Sequence, residues 1–251
     1  MTPDLSGRVV LVTGAGAGIG RALCTVCAAG GAMVVATGIG PNVEETAAIA
    51  GARCVAVRGD VTSLADMEAA VAVAADRFGG LDAVIHNATS RHSSEVGTID
   101  SLDDERWSDH VAVSVRGAYH CARAAFDRLR ARQGCLAVMT SPAAIEGTST
   151  LPAYGAVKGA LRGFAKSLAL EWGPSGVRVV AVSPLAQTPA MVNAYRENPD
   201  LEARLRRLVP LGRVGDPELD VAPVVAFLVG DGARYVTGQT VVVDGGRFTT
   251  M

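Results

Sequence analysis

The sequence predicts a single α/β domain, a doubly wound parallel sheet with helices on both faces. Three observations predict it. Short β-branched apolar runs recur along the chain, as in residues 8–13 (RVVLVT), 33–37 (MVVAT) and 178–183 (RVVAVS). Helical stretches lie between them, and strand alternating with helix calls for parallel strands joined by crossovers. Of the 251 residues, 49% are hydrophobic, enough for a core on each side of such a sheet.

The elements follow in order. Residues 8–13 form a buried strand, then come Gly14-Ala15-Gly16-Ala17-Gly18-Ile19-Gly20 and a helix over 21–29. Glycines let the backbone approach a pyrophosphate, and a helix N-terminus favours its charge. Straight after a first strand, this arrangement reads as a dinucleotide pocket. Strands at 33–37 and 54–57 follow, the latter leading to Gly59-Asp60-Val61. Residues 63–78 read as a helix with Ser63 as N-cap. A strand at 83–85 ends in His86-Asn87-Ala88-Thr89, and a long helical stretch covers 103–132. Cys135–Met139 is the strand before Ser141, residues 154–172 a helix, and 178–183 a sixth strand. Residues 185–210 look polar and irregular apart from a helix over Pro199–Leu208. A helix over 217–229 and a strand over Thr240–Val243 complete the chain. Neither a repeat nor a linker divides residues 1–251. Asp60, Asn87, Ser141, Ser183 and the glycine loop are expected on one rim, outside the carboxyl ends of the strands.

Composition narrows the function. A net charge of −2 gives no global field for nucleic acid or an anionic membrane. Five irregularly spaced cysteines argue against a disulfide framework and for a reducing compartment. Cys24 and Cys27, a lone C-x-x-C in an Ala-rich helix, read as small core residues. The N-terminus MTPDLSGR lacks an apolar signal core, and the uncharged run 22–43 is broken by Gly30-Gly31, Gly38, Gly40 and Pro41. These features point to a soluble cytoplasmic protein. His86, His92, His110 and His120 show no metal-ligand spacing, so no metal is expected.

The chemistry centres on SPAAIEGTSTLPAYGAVK, residues 141–158. Tyr154 and Lys158 share a helix face, and Ser141 ends a strand. A phenol has a pKa near 10, which a neighbouring ammonium lowers. Such a group suits proton exchange with a carbonyl or an alcohol. None of the three can deliver a hydride, so a cofactor must.

Taken together, Thr13-Gly14-x-x-x-Gly18-Ile19-Gly20, Asp60-Val61, Asn87-Ala88, Ser141, Tyr154-x-x-x-Lys158 and the tail Tyr235-Val236-Thr237-Gly238-Gln239…Asp244-Gly245-Gly246 resemble the short-chain dehydrogenase/reductase family over the whole length. The flavour is that of bacterial 3-oxoacyl-carrier-protein reductases. The resemblance implies a single Rossmann domain, NAD(P)(H), a carbonyl or alcohol substrate, free or carrier-bound, and a homo-oligomer, tetramer or dimer. It implies that Tyr154 is the acid–base, that Lys158 lowers its pKa and binds the nicotinamide ribose, and that Ser141 holds the substrate oxygen. By the same resemblance Gly14, Gly18, Ile19, Gly20, Thr37, Gly38, Asp60, Val61, Asn87, Ala88, Tyr154, Lys158, Pro184 and Thr188 contact the cofactor, and a segment near 185–212 covers the substrate.

The chain departs from the family at several points. Ser114 stands where the family has an asparagine propping a relay water, and is the fourth candidate catalytic residue. Its hydroxyl is expected either to orient such a water or to bond the helix backbone. Thr89 replaces the glycine of N-N-A-G, Leu185 follows Pro184 where a glycine is usual, and Thr188 sits one place early. These departures keep open a second reading, a dinucleotide-binding homologue with little redox activity. At the end of the second strand, Gly38 removes the acid that would bind a ribose 2′-hydroxyl, while neither Ile39 nor Ala17 supplies a cation for a 2′-phosphate. The balance tilts very slightly to NADP. Arg204, Arg206 and Arg207 read as a solvated helix face. Gly155, Ala156, Gly159, Ala160 and Gly163 are expected to let their helix pack closely, on the sheet or on a second subunit.

Overall fold

The computed structural model describes residues 3–248. Its seven strands are β1 (Val9–Thr13), β2 (Met33–Gly38), β3 (Cys54–Arg58), β4 (Ala83–His86), β5 (Cys135–Met139), β6 (Arg178–Pro184) and β7 (Thr240–Val243). They pair in the order β3-β2-β1-β4-β5-β6-β7, every neighbour parallel. The chain steps outward from β1 to β3, then returns to lay β4 against the other side of β1. That reversal opens a crevice beyond the carboxyl ends of β1 and β4.

Ten α-helices are described: α1 (Gly18–Ala29), α2 (Asn42–Ala50), α3 (Leu64–Phe78), α4 (Asp104–His110), α5 (Gly117–Arg132), α6 (Ala143–Glu146), α7 (Pro152–Trp172), α8 (Pro189–Glu197), α9 (Pro199–Leu208) and α10 (Ala222–Val229). Side chains alternate across each strand. Val10 and Val12 of β1 thus join Leu23, Cys27 and Val225 from α1 and α10 in one core. Val9 and Leu11 face the other way, against Met67, Leu129, Leu161 and Trp172 from α3, α5 and α7. Each fully buried aliphatic side chain contributes about 1.5–3 kcal/mol, so both layers hold the sheet. As the sequence predicts, Ser63 caps α3, its Oγ accepting from Asp66 N at 3.2 Å. Cys24 and Cys27 are fully buried thiols.

Several local features differ from expectation, α2 and α6 among them, which fall where no helix is expected. α1 begins at Gly18, which places Gly18 and Gly20 inside its first turn. Residues 104–132 are helical throughout, with Asp103 as N-cap, but contain a π-helical segment, Val111–Arg116, between α4 and α5. The supposedly irregular region after β6 contains α8. Thr188 starts it by accepting from Met191 N at 3.3 Å, and Pro189 supplies the fixed φ suited to a first helical position. Finally, close packing on the sheet does not explain all the small residues of α7. A Cβ at Gly155 would touch the Ala143 carbonyl oxygen at 3.3 Å, but one at Gly159 or Gly163 would meet nothing within 4 Å.

Candidate active site

One cavity of about 1540 Å³ runs along the carboxyl ends of the strands. Gly14, Gly18, Ile19, Gly38, Asp60, Val61, Asn87 and Ala88 line one part of it, and Ser141, Tyr154, Lys158, Pro184 and Thr188 line another. The space exceeds the few hundred to 1,000 Å³ of an ordinary small-ligand pocket, and suits a dinucleotide together with a substrate.

The glycine part is built by close backbone approach. Gly14 has φ 62°, and a Cβ there would lie 2.8 Å from Ala88 Cα. At Gly20 a Cβ would stand 2.1 Å from the Gly14 carbonyl oxygen and 2.7 Å from Asn87 Nδ2. Asn87 ties the loop down: its Nδ2 donates to the carbonyls of Thr13 at 3.3 Å and Gly14 at 3.1 Å. Its backbone N–H and that of Ala88 donate to Thr13 Oγ1 at 3.1 and 3.2 Å. Asp60 shapes the next turn, accepting from Thr62 N at 2.8 Å. This cradle fits a pyrophosphate and its adenosine.

The other part stands on β5 and α7. Ser141, just beyond β5, accepts from Ala143 N at 3.2 Å. Tyr154 is half-buried on the cavity wall. Lys158 is 3% exposed, and its ammonium donates to the Met139 carbonyl at 2.8 Å. It also lies 5.6 Å from the Tyr154 ring centroid. Burial lowers its pKa to about 8. The expectation that this ammonium depresses the phenol is corrected: burial raises the Tyr154 pKa, and the counteracting influence is the Ser141 hydroxyl. The Lys158 ammonium is engaged by a backbone carbonyl.

Four predicted residues do not line the cavity. Gly20 lies behind the loop. Thr37 is fully buried with its Oγ1 unpartnered, although its carbonyl accepts from Ala15 N at 3.1 Å and so supports the loop. Ser183, expected on the rim, is fully buried within β6. Ser114 is fully buried too, and its Oγ finds no partner among the described residues. The expected bond to the helix backbone is therefore absent, because the π-helical segment redirects the local backbone. Sequence reasoning missed Arg91, Met139, Thr140 and Arg247, which also line the cavity. Met139 ends β5 and the others lie in separate turns and loops, with no motif in common.

The comparisons with known proteins agree with this geometry. The family model described as enoyl-(acyl carrier protein) reductase matches residues 14–247. An L-rhamnose 1-dehydrogenase (NAD(P)+) of Azotobacter vinelandii is 36% identical, covering 97% of this chain and 98% of its own. An A-factor type gamma-butyrolactone 1′-reductase of Streptomyces virginiae is 34% identical, covering 96% of each. A 3-ketoacyl-(acyl-carrier-protein) reductase of Brucella melitensis, solved as a complex with NADH, superposes with a TM-score of 0.89 at 31% identity, covering 97% of this chain and 99% of that one.

The chain belongs to the short-chain dehydrogenase/reductase family. It is a nicotinamide-dependent oxidoreductase that interconverts a carbonyl and an alcohol. Thr89 and Leu185, two departures from the family pattern, both line the cavity. Leu185, just past β6, is tied to the end of β7, its N–H donating to the Val243 carbonyl at 2.9 Å. Among the described residues no helix is long and apolar enough to cross a membrane.

Proposed function

We propose that Tyr154 is the acid–base of this oxidoreductase. The observation that carries the reading is the convergence of Tyr154, Ser141 and Lys158 on one cavity with the glycine cradle. A nicotinamide bound in that cradle supplies or accepts the hydride. In the reducing direction Ser141 holds the carbonyl oxygen, and Tyr154 gives it the proton that completes the alcohol. Oxidation reverses the transfer. Lys158, held by the Met139 carbonyl, orients the ribose. Gly14, Gly18 and Ile19 take the pyrophosphate, and Asp60 and Val61 the adenine side.

The segment 185–212 is the substrate cover, a reading supported by Met191, Ala194, Leu201 and Leu205 on the cavity wall. The exposed guanidiniums of Arg91 and Arg204 line the same cavity. They support a substrate with an anionic tail, free or carrier-bound. The slight tilt to NADP rests on the missing carboxylate at Gly38. The register sets Arg58 beside Gly38, but Glu44 engages that guanidinium at 2.7 Å, which keeps the tilt slight. Exposed Tyr119, Leu170, Phe227 and Tyr235, with the open Gly159 and Gly163 face, support a homo-oligomer. Five buried thiols without a disulfide support a reducing, cytoplasmic setting.

The test is turnover of a panel of secondary alcohols and ketones with NAD(H) and NADP(H), followed by nicotinamide absorbance. Turnover of at least one pair is expected, with anionic members favoured. An absence of turnover across the panel, with both cofactors bound, would overturn the proposal.

A further inference from the structure

His86 has no part in the chemistry described above, yet it is fully buried at the carboxyl end of β4. Its Nε2 lies 3.0 Å from the Ser114 carbonyl oxygen. A carbonyl only accepts, so Nε2 carries the hydrogen. Nδ1 must then accept, and Thr13 Oγ1 lies 3.2 Å away. The Thr13 hydroxyl already accepts from the amides of Asn87 and Ala88, which leaves its own proton for Nδ1. The two ends of the ring therefore agree on one tautomer.

The carbonyl that His86 grips belongs to the π-helical segment, whose backbone bonds are shifted from the helical pattern. Room for the ring comes from Gly117, where a Cβ would stand 3.1 Å from His86 Cε1 and 2.9 Å from Val61 Cγ2. The π-helical segment and α4 pack against α7, the helix that carries Tyr154 and Lys158. The Lys158 charge is close enough to oppose protonation of the imidazole, second only to burial.

We infer that His86 is a positioning residue for the proton-transfer pair. Its Nε2-protonated ring joins Thr13, at the foot of the cofactor loop, to the Ser114 carbonyl, and through the π-helical segment it fixes the wall on which α7 sets Tyr154 and Lys158. This inference rests on the assignment of acid–base chemistry to Tyr154. The His86 ring links the two strand ends that cradle the cofactor by hydrogen bonds to the segment against which the helix carrying Tyr154 packs. Hydrogen bonds buried in this way are costly to leave half-made. A loss of that link displaces the reacting groups without removing any of them.

The test compares His86→Gln with His86→Leu. Glutamine has an amide N–H for the Ser114 carbonyl and an oxygen for the Thr13 hydroxyl; leucine has neither. At saturating cofactor and substrate, His86→Leu is expected to lose on the order of 10²-fold in kcat, the scale of an ångström-sized misplacement, with cofactor Kd changed far less. His86→Gln is expected to recover most of that loss. If His86→Leu does not fold, Gly117→Ala presses on the ring while keeping every polar group, and the same kcat loss is expected there. Nitrogen NMR of the wild-type ring is expected to show a neutral Nε2–H imidazole at pH 7. An Nδ1–H or doubly protonated ring, a His86→Leu enzyme with wild-type kcat, or a folded His86→Gln as slow as a folded His86→Leu would overturn the inference. Wild-type turnover by Tyr154→Phe would instead remove the acid–base assignment on which it rests.

Discussion

Lys158→Met tests the electrostatics of the site through stability alone. In the wild type the ammonium is buried, and its pKa falls from 10.5 to about 8 because burial penalises the charged form. Below pH 8 both the native and the unfolded chain hold the proton, and the penalty is constant. A gap of roughly 2.5 pH units at 1.36 kcal/mol each makes it about 3 kcal/mol. Between pH 8 and 10.5 the unfolded chain binds more protons than the native one, so native stability rises with pH. From pH 7.5 to 9.5 the relief amounts to about 2 kcal/mol. Methionine has no such charge and gains nothing. Its lost bond to the Met139 carbonyl shifts the curve by an amount independent of pH. Tyr154, whose pKa burial raises, titrates with the opposite sign, but it is present in both proteins. Urea unfolding of both at pH 7.5, 8.5 and 9.5 reads the difference. The wild type is expected to gain about 2 kcal/mol on the variant across that range. Parallel stability profiles would refute the claim that the fold holds this charge against desolvation.

Three further outcomes follow from the same geometry. Gly20→Ala drives a Cβ into the Gly14 carbonyl and the Asn87 amide; calorimetry is expected to show cofactor affinity falling about tenfold or more, and unchanged affinity would contradict the cradle. Asn87→Ala leaves the Thr13 and Gly14 carbonyls without their amide donor, a loss of about 1–3 kcal/mol in urea unfolding. Ser63→Ala removes the cap of α3, with a loss of about 1 kcal/mol and no change in kcat.

The fold was legible because each strand carries its own pattern. β1, β5 and β6 are apolar over nearly every residue, as a strand buried on both faces must be, and the helices between them leave only a parallel arrangement. The glycine loop, Asp60, Asn87, Ser141, Tyr154 and Lys158 were legible because their spacing is local and their residue types are few. What the sequence hid depends on contacts between distant segments. α8 begins at an ordinary Thr-Pro and becomes a helix through its cap. The wall of the substrate cavity comes from α8, α9 and separate loops. The Met139 carbonyl that holds Lys158 is a backbone atom with no signature. The His86 bond to Ser114 spans 28 residues and needs both a π-helical segment and a glycine to exist. The direction of the Tyr154 pKa shift was misjudged for the same reason: sequence spacing brings a lysine near the phenol but does not say where its ammonium points.

The central claim is that Tyr154 moves the proton. Its most direct test is Tyr154→Phe, which removes one hydroxyl and keeps the ring. With a substrate established for the wild type, kcat is expected to fall on the order of 10²–10⁴-fold, while the dissociation constant for the nicotinamide cofactor stays the same. A variant that binds cofactor normally and turns over at the wild-type rate would contradict the account.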